Sequence, residues 1–229
     1  MKSEDNYYYK NKTRFMEANI LNLAYAQFES DNIYDIPTIH KCDLSCEDIN
    51  NSKLVGFNFA KTFKEPKDNG IHFFLHDYQF ERVWNRPLRY IDTLKKFKYV
   101  LSPDFSPYAD MPKAAKIFNV YRNRWCGRFW QENGINVIPT ITIADKDSLD
   151  YCLAGVEENS VIAISTMGEG RWGNYRLLYE YYDEICNRLK PNCIVLYGKD
   201  LSTNLKNINS CKIIYKPYCN SNINEVDDE

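Results

Sequence analysis

From residue 54 onward, short runs rich in branched and aromatic residues alternate with stretches of helical periodicity. That alternation restricts the possible folds more than any other feature of the chain. The runs read LVGFNF, IHFFLH, YVLSPD, NVIPTITI, VIAIST, CIVLYG and KIIYKP, and IPTI at 36–39 adds one more candidate strand. Strands that alternate with helices pack as a parallel sheet with crossover helices. Runs that are apolar almost throughout are what strands covered on both faces require. The expected fold is α/β: a single-domain parallel β/α fold resembling a small, irregular barrel, with a doubly wound open sheet as the alternative. A chain of 229 residues, 44% of them hydrophobic, is long enough for one sizeable core of this kind.

The helical stretches are bounded by recognisable ends. The longest opens at SPYADMPKAAKIF, where Asp110 can cap and Pro112 sits near the first turn, and closes at Gly134. Ala114, Phe118, Tyr121, Trp125 and Phe129 recur along it at three and four residues, the stripe by which a helix packs on a sheet. A second helix is expected from Asn174, with Leu177, Tyr181, Ile185 and Leu189 in register ahead of Pro191. PLRYIDTLKKF (87–97) and DSLDYCLAGV (147–156) fill further crossovers, and NKTRFMEANILNLAYAQF suggests an N-terminal helix. No fixed-period repeat or glycine-serine linker divides the chain, so we expect an extension at 1–33, a β/α domain at 34–219 and an acidic tail at 220–229.

A formal net charge of -2 gives no global attraction to nucleic acid or anionic membranes, so phosphate contacts would need a local patch. The start of the chain has no apolar core of signal-peptide length and no later run spans a bilayer, which points to a cytoplasmic protein with reduced cysteines. His40, Cys42 and Cys46 form a loose HKCDLSC cluster without a C-x-x-C pair, better read as packed thiols than as a metal site.

Ligands of both candidate architectures bind at the carboxyl ends of the strands. There the sequence places Asp77, Tyr78 and Arg82 after IHFFLH, Asp104 and Ser106 after YVLSP, Asp145 after ITIA, and Ser165 and Gly168 at and beyond VIAIS. Carboxylates on one rim serve acid and base chemistry, although Asp104 also suits a local turn and Asp145 a helix cap. Asp77 and Asp104 should lie at the same end of the sheet, because each directly follows a strand and the connection is an ordinary crossover. Arg122, Arg124 and Arg128 with Lys113 and Lys116 make the long helix basic, and Arg124 is the candidate anion contact there.

Gly168 to Gly173, GEGRWG, matches the dinucleotide-binding pattern G-x-G-x-x-G after a strand and before a helix. Several strands precede it, no acid lies about 20 residues beyond it, and Glu169 would face a pyrophosphate. A loop that binds a phosphate or carboxylate through backbone N–H groups is the simpler reading, and no cofactor is assigned.

Taken in order, FFLHDYQFERVWNRPLRYID, VLSPDFSPYADMP, YRNRWCGRFWQENGINVIPTITIAD, VIAISTMG and LKPNCIVLYG resemble the motifs of the domain of unknown function 4417 family over roughly residues 34–218. The resemblance extends to Asp77, Tyr78, Phe80, Trp84, Pro103, Asp104, Ser106, Pro112, Trp125, Gly127, Gly134, Pro139 and Gly168. His76 departs from it, standing where the family often carries a second acid. Members occur in bacteria, phages and other mobile elements, and the resemblance brings no activity with it. It implies an accessory protein of a phage or mobile element. If the site is catalytic, its carboxylates and arginines suit hydrolysis or transfer on a phosphorylated or sugar-like small molecule. The alternative is a non-catalytic binder of a host or phage protein or of nucleic acid through the basic helix and aromatic surface.

Overall fold

The computed structural model describes residues 21–167 and 175–218. Its parallel strands are β1 (Leu54–Gly56), β2 (Gly70–His72), β3 (Tyr99–Leu101), β4 (Val137–Ile138), β5 (Thr140–Ile141), β6 (Val161–Ser165), β7 (Cys193–Gly198) and β8 (Ile213–Pro217). They form two four-stranded sheets in strictly sequential order, β1-β2-β3-β4 and β5-β6-β7-β8. A doubly wound sheet reverses its order at a switch point. The unreversed order found here is that of a barrel-like winding.

The two sheets meet in NVIPTITI. Pro139 has no N–H to give a ladder, so the run divides into β4, paired with β3, and β5, paired with β6. Side chains supply what the ladder lacks. The Thr140 N–H donates to Ser102 Oγ and the Thr140 hydroxyl donates to the Ser102 carbonyl, both at 2.8 Å. The layer curls far enough for His72 of β2 and Tyr197 of β7 to touch, with ring centroids 4.4 Å apart. Among the described residues no ladder joins β8 to β1, so the barrel is not closed. Instead the buried Lys216 ammonium donates to the carbonyls of Asn50 and Ser52 at 3.0 and 2.5 Å.

Strand alternation divides the core in two. Leu54, Tyr99, Leu101, Ile138, Val161, Ala163, Val195 and Tyr197 cluster on the inner face. Ile71, Val100 and Val137 join one outer cluster and Ile162, Ile164, Ile194 and Leu196 another. Helix α1 (Cys46–Asn50) packs Ile49 into the inner cluster, whereas the outer clusters lie under the helices α2 (Glu81–Asn85), α3 (Ile91–Leu94), α4 (Lys113–Glu132), α5 (Leu149–Leu153), α6 (Arg176–Leu189) and α7 (Ser202–Ile208). On α6, Tyr181, Ile185 and Leu189 are buried as the periodicity requires, while Leu177 of the expected stripe is only partly buried and Leu178 is buried beside it. Ile39 of IPTI makes an isolated parallel bridge to Val156 in place of a full strand.

Three expectations need adjustment. The cap position of α4 is held by Pro112, and Asp110 lies in the preceding turn without capping. Of the suggested N-terminal helix, residues 11–20 lie outside the described residues and 21–28 are turns and irregular chain. This segment is tied down by Asn22 Nδ2 donating to the Trp84 carbonyl (2.9 Å) and Trp125 Nε1 donating to the Ala26 carbonyl (3.3 Å). Third, the cations of α4 do not form an outer basic face: Lys116, Arg122 and Arg124 are buried, and Arg128 pairs with Glu132 at 2.6 Å. No helix among the described residues is long and apolar enough to cross a membrane.

Gly70 shows how tightly the inner face is filled, since a Cβ there would overlap the ring of the buried Tyr99 on the neighbouring strand. Gly70→Ala is expected to destabilise the fold by about 1–3 kcal/mol through overpacking, read as a lower midpoint in urea unfolding.

Candidate functional site

The chain leaving β2 turns through a single 3-10 turn, Asp77–Gln79, and the chain leaving β3 runs as irregular SPDFSP, with the Phe105 N–H donating to the Pro103 carbonyl at 2.9 Å. β2 and β3 are neighbours, so the two loops meet at the carboxyl end of the sheet. The contact is specific: Ser106 donates its backbone N–H to Asp77 Oδ2 and its hydroxyl to Asp77 Oδ1, both at 3.1 Å. Behind them Asn119 Nδ2 of α4 donates to the Ser106 carbonyl at 2.7 Å, and Arg122 Nη2 donates to Asn119 Oδ1 at 2.7 Å. Arg122 Nη1 then reaches Glu81 at 2.5 Å, and its guanidinium lies 4.0 Å from the centre of the Phe105 ring. A polar chain from Glu81 to Asp77 thus fixes both loops to one helix.

Asp104 sits between these loops and β5. The Thr142 hydroxyl donates to its Oδ1 at 2.5 Å. Burial raises the Asp104 carboxyl to about 6, and the neighbouring charge of Asp77 acts in the same direction. The Thr142 hydrogen bond and the positive charge of Arg124 oppose that rise without cancelling it. A carboxyl of this kind exchanges its proton close to neutral pH, the property required of an acid or base catalyst. Asp104 and Thr142 share a small depression of about 50 Å³ with Ser165 and Met167.

The remaining candidates divide clearly. Asp145 is engaged in structure: Oδ1 accepts the Ser148 N–H at 2.9 Å in a reciprocal capping box, and Oδ2 pairs with the buried Lys116 at 2.6 Å. Arg124 is drawn inward. Its Nε donates to the Ala154 carbonyl (3.1 Å), Nη1 to Thr140 O (2.9 Å) and Asn123 Oδ1 (2.7 Å), and Nη2 to the Cys152 carbonyl (2.7 Å). These bonds occupy four of its five donors and leave little for a ligand. Ser165 Oγ accepts the Met167 N–H at 2.9 Å. Tyr78 is exposed and stacks on His76, and Arg82 lies over the rings of Phe57 and Tyr90 at 5.2 and 5.8 Å, outside the depression. Gly168 and the rest of GEGRWG lie outside the described residues.

The HKCDLSC residues separate, with His40 Nδ1 3.0 Å from Glu157 while Cys42 and Cys46 pack against the inner cluster. Thr142 and Asn119 were not picked out from sequence, although Thr142 is placed like the other candidates, directly after a strand.

The chain belongs to the family described as Domain of unknown function (DUF4417), which matches residues 28–216. It is 40% identical over 184 residues to the Gene 1 protein of Mycobacterium phage L5, covering 79% of this chain and 78% of that protein. It is 36% identical over 184 residues to the Gene 1 protein of Mycobacterium phage D29, covering 79% of this chain and 66% of that protein. No solved structure matches the chain.

The raised Asp104 carboxyl carries a stability signature. A folded-state value near 6, above an unfolded value of about 3.9, means that the folded chain holds this proton more tightly. The group's contribution is most favourable below pH about 4 and is lost as pH rises toward 6. Asp104→Asn keeps an acceptor for Thr142 and removes the titration. In urea unfolding across pH, the variant should gain on the wild type between pH about 4 and 6 and stay ahead above it, by on the order of 2 kcal/mol.

Proposed function

We propose that this DUF4417 member is a phage or mobile-element protein that holds a phosphorylated or sugar-like small molecule at the carboxyl ends of its strands, with Asp104 moving a proton there as a general base. The observation that carries this reading is the Asp104 carboxyl itself, raised to about 6 beside the charge of Asp77. Such a group is mostly ionised at neutral pH yet basic enough to accept a proton from water or from a ligand hydroxyl. The kinship with proteins of two mycobacteriophages supports the phage association.

In this reading Asp77 positions: both of its oxygens accept from Ser106, so it holds the loop that carries Asp104, and its charge adds to the desolvation that raises the Asp104 pKa. Thr142 orients the Asp104 carboxylate through its hydroxyl. Arg82, exposed on α2 and lying over Phe57 and Tyr90, would have to swing from those rings to meet an anionic group on the ligand. Hydrolysis or transfer fits this set, since a base and a nearby cation are what attack on a phosphate or acetal centre uses.

The test is a turnover screen of the purified chain against nucleotides and phosphosugars, with and without magnesium or manganese. Wild-type turnover should fall as pH drops below about 6, and Asp104→Asn should lower kcat by roughly 10²–10⁴-fold with a smaller change in KM. Turnover equal in the wild type and Asp104→Asn, or no turnover with any member of the panel, contradicts the proposal.

A further inference from the structure

The open seam between β1 and β8 contains a cavity of about 910 Å³, far larger than the depression beside Asp104 and of the size that small-molecule ligands occupy. Phe59, Phe63, Tyr197, Tyr215 and Tyr218 contribute its aromatic wall, and no carboxylate lines it.

Two polar side chains that are largely buried, His72 and Lys216, line this wall. The first is His72, 3% exposed. Its Nδ1 lies 3.2 Å from the Phe74 backbone N–H, which donates to it, so in the neutral ring the proton resides on Nε2. Burial pushes the imidazole down to about 3, so the neutral form is the one present. Nε2–H is therefore a donor on the cavity wall. The Asn58 side chain fills the space between Gly56 and this ring, since a Cβ on Gly56 would come 2.5 Å from Asn58 Oδ1 and 3.6 Å from His72 Nε2.

The second is Lys216, 6% exposed. Its ammonium donates to two carbonyls and faces no carboxylate among the described residues, and burial lowers its pKa. A buried cation held by neutral carbonyls alone is poorly compensated, and an anion beside it would relieve that cost. The third ammonium proton remains for such a partner.

Both groups flank Tyr197: Lys216 is its register partner on β8, and the His72 ring lies 4.4 Å from the Tyr197 ring.

We propose that the seam cavity is a binding site for a nucleoside monophosphate, with the base stacked on the aromatic wall and accepting from His72 Nε2–H, and the phosphate at Lys216. Base stacking on aromatic side chains and a cation at the phosphate are the usual means of holding such a ligand. This site is distinct from the Asp104 rim and does not depend on catalysis there.

The chain has three histidines, which makes imidazole ¹H–¹⁵N spectra of the labelled full-length protein a direct readout. The His72 signals should report an Nε2–H tautomer that does not titrate between pH 8 and 5. Titration with the four common nucleoside monophosphates should shift the His72 Nε2 resonance saturably with at least one of them, leaving His40 and His76 in place. Lys216→Met should weaken that nucleotide at least tenfold while the parent nucleoside binds as before, and Lys216→Arg should restore most of the loss. Several outcomes overturn the proposal. These are no shift at His72, an equal shift with ribose 5-phosphate or inorganic phosphate, saturation by an aromatic carboxylate such as anthranilate but by no nucleotide, and unchanged affinity in Lys216→Met. If Lys216→Met does not fold, the wild type carries the test: a parent nucleoside that binds as tightly as its monophosphate overturns the phosphate assignment.

Discussion

The buried guanidinium of Arg124 is the constraint on which the rest of this structure depends. Pro139 interrupts the strand that both sheets share, and at that break backbone groups lose ladder partners. Arg124 takes the Thr140 carbonyl just past the break and the carbonyls of Cys152 and Ala154 at the end of α5. One side chain of α4 thereby ties the second sheet and its first helix to the helix that covers the first sheet. Burial lowers the guanidinium to about 10, so it stays charged at neutral pH, and its hydrogen bonds offset the desolvation.

This arrangement also determines the chemistry at the rim. Asp104 lies within the influence of Arg124, yet its carboxyl is raised. The reason is that the guanidinium is already committed to carbonyls and to Asn123, so it acts on Asp104 through space and not through a direct bond. Desolvation and the charge of Asp77 outweigh it. Had Arg124 paired with Asp104, the carboxyl would fall below its ordinary range and lose any use as a base near neutral pH. The polar chain from Glu81 through Arg122 and Asn119 to Ser106 performs a complementary task by holding the Asp77 carboxylate near Asp104.

How much of this could be read from the sequence follows from how each segment is stabilised. VIAIS and CIVLYG are strands over nearly their whole predicted length, because a branched, two-sided apolar run has no competing use. LVGFNF and IHFFLH yield strands of only three residues, since the chain turns into 3-10 turns or irregular loops once its aromatic residues have reached the outer core. The helices α1, α2 and α7 are too short and too polar to show a period of 3.6. Asp77, Ser106 and Asp104 were legible because position after a strand is a topological property. Arg124 was not read correctly, because charge on a helix normally signals solvent; its neighbours Asn123 and Trp125, both buried, were the available cue. His72 and Lys216 were hidden inside runs read as apolar, although both are polar residues at inward positions of strands.

The central claim is that the half-buried Asp104 titrates near neutral pH because its carboxyl is desolvated and lies near the charge of Asp77. Carboxyl-carbon NMR of the ¹³C-labelled chain, recorded across pH for the wild type and for Asp77→Asn, tests this most directly. The account predicts an Asp104 midpoint near 6 in the wild type and a lower midpoint in Asp77→Asn, still above about 3.9 because burial remains. A wild-type midpoint at or below about 4, or one that does not move when the Asp77 charge is removed, contradicts it.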